Sequence, residues 1–183
     1  MNLCIAFIIV ALLLLFFVGG TYNKCVKLSN YVKEAFSTMD VYMKKRWDLI
    51  PNLVETVKGY VAHEKGVLEE ITALRNTNYT NLSPDEKIDV NNKLGLGLSK
   101  LIAVAENYPD LKASSNFTEL QTQLSHIEDE IASSRKYYNG CVREFNTYIQ
   151  IFPSNIIAGI FNFKEQKLFE IDESQRENVK VSF

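Results

Sequence analysis

The chain has 183 residues, and its 20 basic and 22 acidic residues leave a formal net charge of -2. This length allows one domain and a membrane segment, and the balanced charge excludes a global field that would recruit nucleic acid. Only 8 Gly and 4 Pro are present, which favours long regular elements over many loops. The three cysteines, Cys4, Cys25 and Cys141, have no C-x-x-C spacing and an odd count, so no disulfide framework is predicted.

The first element along the chain is an uncharged apolar run from Leu3 to Val18. With its neighbours, this run approaches the roughly 20 residues that a helix needs to cross a bilayer. A cleaved signal peptide is the alternative. No basic segment precedes the run, and residues 17–20 match a cleavage site poorly, so we favour an uncleaved anchor at residues 1–21. The bilayer is then a partner through residues 3–20.

Positive charge follows the apolar run closely, at Lys24, Lys27 and Lys33. Cytoplasmic flanks of membrane helices carry an excess of Lys and Arg. We therefore predict a single-pass protein of the cell membrane, with a very short N-terminus outside and the body in the cytoplasm.

After the anchor, the hydrophobic periodicity is helical almost throughout. In the last long helix, apolar positions recur at alternating spacings of three and four, a heptad seam typical of helix packing at about 20°. The seam consists of Phe117, Leu120, Leu124, Ile127, Ile131, Ser134, Tyr138, Cys141, Phe145 and Tyr148. The helix before it opens with Ser83, Pro84 and Glu86, which predicts an N-cap, a first-position proline and a capping box.

Pro51 determines how the first long helical stretch is divided. A single helix from Tyr22 to Asn76 would span roughly 80 Å, against about 37 and 52 Å for the two later helices. A break at Pro51 instead gives four helices of comparable length, which can cover each other's apolar stripes. We therefore predict that a second helix begins at Pro51 and that residues 22–152 form a four-helix bundle.

Two blocks of the sequence, Lys44 to Glu64 and Phe152 to Lys164, closely resemble the signature of the LemA family of membrane-anchored bacterial proteins. They occur in the order and at the separation that the family shows. The resemblance runs from Tyr22 to the last residue and implies an all-α protein, with an antiparallel up-and-down four-helix bundle in the cytoplasm. It implies little about activity.

The sequence offers no chemistry for catalysis. His63 and Glu64 open a metalloprotease-like pattern, but Val67 lies where the second His is required. Neither His has a Glu three residues before it, as a di-iron bundle requires, and two His with three scattered Cys do not indicate zinc. A Gly-rich phosphate loop and a G-x-S-x-G motif are also lacking. We therefore expect no enzymatic activity, no metal and no cofactor.

A candidate partner-binding surface lies at the predicted corner between the first and second helices. The basic cluster Lys44 to Arg46 is explained largely by the helix dipole, although its match to the family signature favours a role in binding a partner. A single cluster without interleaved aromatics makes too few phosphate contacts for nucleic acid. The candidate residues are Lys45, Arg46, Asp48, Asn52, Lys58 and His63.

An internal sequence similarity gives the first candidate membrane-proximal residues, because the dipeptide Tyr22-Asn23 is repeated as Tyr138-Asn139. In an up-and-down bundle, both pairs lie at the membrane-proximal end. The Asn residues either hydrogen-bond across the helix pair and fix its register, or simply suit the wet end of a bundle.

Residues 153–183 are predicted to form a short apolar segment and a C-terminal arm. The apolar segment, with Ile157 and Phe161 as candidate membrane-proximal residues, can plug the end of the bundle or lie on the bilayer. The sequence favours the plug.

The predicted function is therefore that of a single-pass, membrane-anchored, non-enzymatic scaffold or adaptor with a protein partner. The alternative is a membrane-organising or lipid-surface-binding protein that acts through self-association, as a homo-oligomer. A scaffold depends on Arg46 and Asp48, whereas a membrane organiser depends on Ile157 and Phe161.

Overall fold

The computed structural model describes residues 2–61, 65–75 and 77–169. The regular elements in this part of the chain are all helical, which confirms the predicted fold class there. His63 and residues 170–183, which contain most of the predicted C-terminal arm, lie outside the described residues. The elements are α1 (Asn2–Lys58), α2 (Lys65–Arg75), a short 3-10 turn (Tyr79–Asn81), α3 (Pro84–Ala105), α4 (Pro109–Lys112), α5 (Ser115–Gln150) and α6 (Ser154–Ile160).

The first helix, α1, is continuous from Asn2 to Lys58 and contains Pro51. The predicted start of a second helix at Pro51 is therefore wrong. Buried positions Met43, Ile50 and Val57 are spaced seven apart and lie on one side of a single helix. A break at Pro51 would separate this apolar stripe into two pieces, so packing favours continuity despite the proline. The second helix begins at Lys65 instead.

The described chain divides into two compact units. Among the described residues, unit 1 consists of residues 2–37 and 135–168, and unit 2 of residues 38–134 together with Phe169. Both α1 and α5 contribute residues to each unit. The up-and-down four-helix bundle as a whole remains a prediction.

In unit 1, α1 and α5 run antiparallel. The Lys24 ammonium lies 4.5 Å from the centre of the Tyr148 ring, and the Phe36 and Tyr138 rings are 5.9 Å apart in an edge-to-face arrangement. The contacting residue number rises along α1, from 24 to 36, while it falls along α5, from 148 to 138, so the two helices run in opposite directions. The α1 side of this packing is a buried heptad-like seam of Cys25, Leu28, Val32 and Ala35.

The predicted seam of α5 is correct at some positions and shifted at others. Phe117, Leu124, Ile131 and Ser134 are buried as expected, and so are Tyr138 and Phe145. Cys141 and Tyr148, however, are only half-buried, and their neighbours Val142 and Ile149 are buried in their place. The shifted positions still follow their neighbours by three or four residues, and they place purely apolar side chains in the core.

In unit 2, α2 and α3 pack antiparallel at close range. Gly97 of α3 faces Ile71 of α2, and Lys100 reaches Glu70 with an N–O distance of 3.1 Å. The start of α3 is formed as predicted: the Ser83 hydroxyl accepts from the Glu86 amide, and the Glu86 carboxylate accepts from the Ser83 amide. This capping box satisfies backbone donors that the first helical turn leaves free.

The α2–α3 contact depends on the small size of Gly97, because a Cβ added there would lie 3.1 Å from Cγ1 of Ile71. We predict that Gly97→Leu lowers the free energy of unfolding by about 1–3 kcal/mol through overpacking. Circular dichroism at 222 nm during chemical denaturation of the detergent-solubilised chain measures this change.

Gly140 of α5 provides the matched control, since a Cβ added there meets no atom within 4 Å. Gly140→Leu is expected to raise the free energy of unfolding by about 0.5–1 kcal/mol, because leucine has a higher helix propensity than glycine. Equal effects of the two substitutions would contradict the close α2–α3 packing.

Candidate partner-binding and membrane-proximal sites

Arg46 is buried at the centre of unit 2 rather than exposed. Its side chain donates to the Glu128 carboxylate of α5 at 2.5 Å and to the Asn91 carbonyl of α3 at 2.5 Å. Gly95 of α3 lies beside the guanidinium, and a Cβ added there would be in van der Waals contact with Nη1, at 3.4 Å. Arg46 therefore links three helices and is not part of the accessible surface to which the sequence analysis assigned it.

The environment of Arg46 is only partly satisfied. The Arg46 Nε and the Asn91 Oδ1 are buried and have no hydrogen-bond partner among the described residues. The Glu128 side chain is 42% exposed, so solvent screens its end of the ion pair. The position of the guanidinium is therefore fixed mainly by the hydrogen bonds of its two terminal nitrogens.

The other predicted residues of this region lie along the exposed side of α1. We name this side the α1 stripe, defined by Val41, Lys45, Asp48, Asn52 and Glu55, which are all exposed. Their spacings of four and three place them on one face of a helix. Because α1 is continuous, three of the predicted residues, Lys45, Asp48 and Asn52, share one face of a single helix instead of a corner between two helices.

Local ion pairs and ring contacts order the α1 stripe. The Lys45 ammonium lies 5.3 Å from the centre of the Tyr42 ring, and Asp48 pairs with Lys44 one turn earlier. Lys58, the last residue of α1, is exposed and contacts Glu55 with an N–O distance of 3.1 Å. Exposed ion pairs of this kind contribute little to stability. The charged side chains of the stripe can therefore leave these pairs to contact another protein at little cost.

A cleft of about 270 Å³ opens beside Lys44, and the sequence analysis did not anticipate it. The Trp47 and Tyr79 rings contact each other in its wall, with their centroids 5.2 Å apart. The remaining lining is rich in hydroxyl and amide groups. The full lining consists of Lys44, Trp47, Thr72, Thr77, Asn78, Tyr79 and Thr80. The concentration of Thr and Asn at residues 77–81 was the available signal.

Tyr79 is held in place by Asp40 of α1 and Lys87 of α3. The Tyr79 hydroxyl donates to one Asp40 oxygen at 2.7 Å, and the Lys87 ammonium donates to the other at 2.6 Å. Burial and then the hydrogen bond to Asp40 raise the pKa of Tyr79 well above its ordinary value. The phenol therefore stays protonated and keeps donating to the carboxylate.

The membrane-proximal candidates are brought together in unit 1. The Tyr22 ring lies 4.6 Å from the Phe161 ring and 5.8 Å from the Phe163 ring. Ile157 is buried, as the plug interpretation requires, whereas Phe161 keeps about half of its surface exposed, at 48%.

The remaining membrane-proximal candidates differ in their surroundings. The buried Tyr138 donates its hydroxyl to the Lys167 carbonyl at 2.9 Å, which fastens the segment after α6 to α5. Asn23 is exposed and Asn139 is half-buried. The hypothesis that these Asn residues fix the helix register remains a prediction. Asn146 does bond the same segment: its side-chain NH2 donates to the Gln166 backbone carbonyl, and its side-chain oxygen accepts from the Gln166 backbone N–H.

Metal-binding groups and cysteine thiols were the remaining candidates for a chemical site. Across residues 2–61, 65–75 and 77–169, no three His, Cys, Asp or Glu side chains lie together as a metal site requires. Cys4 is exposed, Cys141 is half-buried and Cys25 is buried. Burial raises the pKa of the Cys25 thiol, so that thiol stays protonated and packs as a small apolar group.

Over the residues that the structure describes, the regular elements are all helical, and α1 is long and apolar enough to cross a membrane. The model of the LemA family matches residues 35–183, and the chain therefore belongs to the LemA family. Among curated proteins, Protein LemA of Metamycoplasma hominis is 27% identical over 181 residues, which cover 97% of this chain and 82% of that protein. The family resemblance seen in the sequence is thus confirmed.

Shorter matches connect the chain to two magnetosome proteins. Magnetosome protein MamQ 2 of Paramagnetospirillum magneticum is 34% identical over 76 residues, which cover 42% of this chain and 28% of that protein. Magnetosome protein MamQ of Magnetospirillum gryphiswaldense is 32% identical over 75 residues, which cover 41% and 28% respectively. The chain thus spans little more than a quarter of either protein.

The Arg46 contacts require a forked side chain, because one nitrogen bonds α5 and another bonds α3. We predict that Arg46→Lys lowers the free energy of unfolding by about 1.5–3 kcal/mol, since one ammonium cannot reproduce both bonds. The exposed neighbour Lys45 is the control, and Lys45→Ala should stay within about 0.5 kcal/mol. If Arg46→Lys were equally silent in chemical denaturation, the buried link between the helices would be disproved.

The raised pKa of Tyr79 gives stability a pH dependence. The phenol of the unfolded chain ionises near pH 10, about where a free tyrosine does, while the folded state keeps its proton. This contribution is complete below about pH 10 and is lost as the pH rises further. We predict that Tyr79→Phe makes the decline above about pH 10 shallower, by up to about 1.4 kcal/mol per pH unit.

The exposed Tyr60 supplies the control for this pH series. Denaturation midpoints between about pH 8 and 11, a window around the ordinary tyrosine pKa, should give Tyr60→Phe the same slope as the unaltered chain. A Tyr79→Phe slope equal to both would argue against the buried, protonated phenol.

Proposed function

We propose that this LemA-family chain is a single-pass, non-enzymatic membrane scaffold whose helical body, an up-and-down four-helix bundle, captures a protein partner. The α1 stripe and the adjacent cleft form the binding surface. The observation that supports this most directly is the contrast between the two sides of α1. One side is buried through Met43, Ile50 and Val57, while the α1 stripe is exposed at five positions that follow one another at spacings of four and three residues.

The α1 stripe and the cleft are continuous with each other. Lys44 lines the cleft and pairs with Asp48 of the stripe. Protein interfaces commonly surround an apolar or aromatic anchor with a polar rim. Here the cleft offers a recess for a partner side chain, backed by the largely buried Trp47 and Tyr79 rings, and Lys45 and Asn52 contribute to the rim. The cleft is large enough for one or two partner side chains.

The apolar start of α1 supports the attachment to a membrane. Side chains from Leu3 to Phe17 are exposed or nearly so, which is costly in water for so continuous an apolar surface. A bilayer removes that cost. The positive charge at Lys24, Lys27 and Lys33, directly after the apolar run, supports a cytoplasmic body.

The proposal predicts site-specific crosslinks from the α1 stripe. With p-benzoylphenylalanine at Lys45 or Asn52 of the full chain in native membranes, we expect a discrete heterologous protein adduct, identified by mass spectrometry. The double charge reversal Lys45→Glu and Asp48→Lys, made with the photoreactive residue at Asn52, should reduce that adduct at least about tenfold, which corresponds to about 1.4 kcal/mol of binding free energy.

Lys93 of α3, which is also exposed, provides two matched controls. The photoreactive residue at Lys93 should give no such adduct, and Lys93→Glu should leave the Asn52 adduct unchanged. Adducts only between copies of this chain would point instead to self-association. Equal capture from Lys93 and from the α1 stripe would rule out the stripe as the binding surface.

A further inference from the structure

The short helix α6 carries both buried and exposed apolar side chains. Ile157 and Ala158 are buried, at 5% and 2% exposure. The exposed apolar side chains of α6 and of the residues on either side of it, which we name the outer face of α6, include Ile156 and Ile160, one turn apart within the helix. The outer face consists of Ile151, Phe152, Ile156, Ile160 and Phe161, with exposures of 50%, 79%, 53%, 70% and 48%.

The outer face belongs to an anchored element. The Ser154 hydroxyl donates to the Tyr148 carbonyl at 2.5 Å, and the Phe163 amide donates to the Ala158 carbonyl at 2.9 Å. Phe163 itself packs on Tyr22, with ring centroids 5.8 Å apart. The exposure of the outer face is therefore a property of a docked helix, held at both of its ends.

The position of α6 along α1 matches the surface of a bilayer. Phe161 contacts Tyr22 at a ring distance of 4.6 Å. Tyr22 follows Val18, the last residue of the apolar run, by about 6 Å along the helix axis. That distance is comparable to the depth of one headgroup layer, because a bilayer of about 40–45 Å contains a hydrocarbon core of about 30 Å.

The charge pattern of the segment also fits a lipid surface. No charged residue occurs between Glu144 and Lys164, so contact with lipid would not bury a charge. Lys24 lies over the Tyr148 ring at 4.5 Å, near the same end of unit 1. An aromatic and basic boundary of this kind is typical of the interfacial region of membrane proteins.

We propose that the outer face of α6 inserts into the headgroup and acyl boundary of the same bilayer that α1 crosses. This contact gives the chain a second, interfacial attachment that fixes how unit 1 stands on the membrane. A second copy of the chain fits the outer face less well, because a stable interface needs roughly 20–30 residues a side and this face offers five. The proposal goes beyond the protein-binding function, and its failure would leave that function untouched.

Tryptophan reporters in single-copy nanodiscs test this insertion. The natural Trp47 is replaced in a Trp47→Phe background, and Phe152→Trp or Ile160→Trp introduces the reporter in the full chain. We expect both reporters to be quenched by brominated lipids, more by shallow than by deep bromines. The quenching depth should be about 5–10 Å into the headgroup and acyl boundary.

Two positions in unit 1 calibrate the measurement. Phe17→Trp within the apolar run should be quenched by the deep bromines. Tyr137→Trp should remain unquenched, because Tyr137 is 57% exposed and precedes Tyr148 by about 16 Å along α5. Reporters at Phe152 and Ile160 that resemble Tyr137→Trp would overturn the proposal. So would reporters that become buried only when two copies share one disc.

A second measurement keeps Trp47 in place, in case Trp47→Phe fails to fold. With p-benzoylphenylalanine at Phe152, irradiation in liposomes of phosphatidylethanolamine and phosphatidylglycerol should give mainly lipid adducts of the chain. The same residue at Tyr137 should give few. Adducts of Phe152 that join two copies, or no difference from Tyr137, would refute the lipid contact.

Discussion

A proline inside an α-helix removes one backbone hydrogen bond and crowds the carbonyl four residues earlier, at a cost of about 3 kcal/mol. Helix α1 bears this cost at Pro51. Burial offsets it, because Ile50, Leu53 and Val57 around the proline are almost fully removed from water and each contributes about 1.5–3 kcal/mol. The exposed α1 stripe exists because this buried side keeps the helix continuous.

The buried charge of Arg46 adds a second constraint on unit 2. A guanidinium that bonds the Glu128 carboxylate and the Asn91 carbonyl permits few alternative alignments of the three helices, since any slip would leave a buried cation without partners. Alignment by one polar group leaves the outer sides of the helices free for other contacts.

Local signals in the sequence predicted the all-helical class, and long-range packing explains the errors. The capping box at Ser83 and Glu86 formed as expected, because its partners are three residues apart. The division at Pro51 failed, because helix continuity depends on what the buried side of α1 packs against. Arg46 was placed on the surface for a similar reason: its partners Glu128 and Asn91 are distant in sequence. The cleft beside Trp47 likewise requires segments that periodicity cannot bring together.

The account depends most directly on the continuity of α1 through Pro51. Spin labels at the exposed positions Val41 and Glu55, in a chain whose three cysteines are replaced, allow a distance measurement by double electron–electron resonance. A continuous helix predicts a backbone separation of about 21 Å for 14 residues. A hairpin that turns at Pro51 would bring the two backbone positions to roughly 12–13 Å, and that result would contradict both the helix and the α1 stripe.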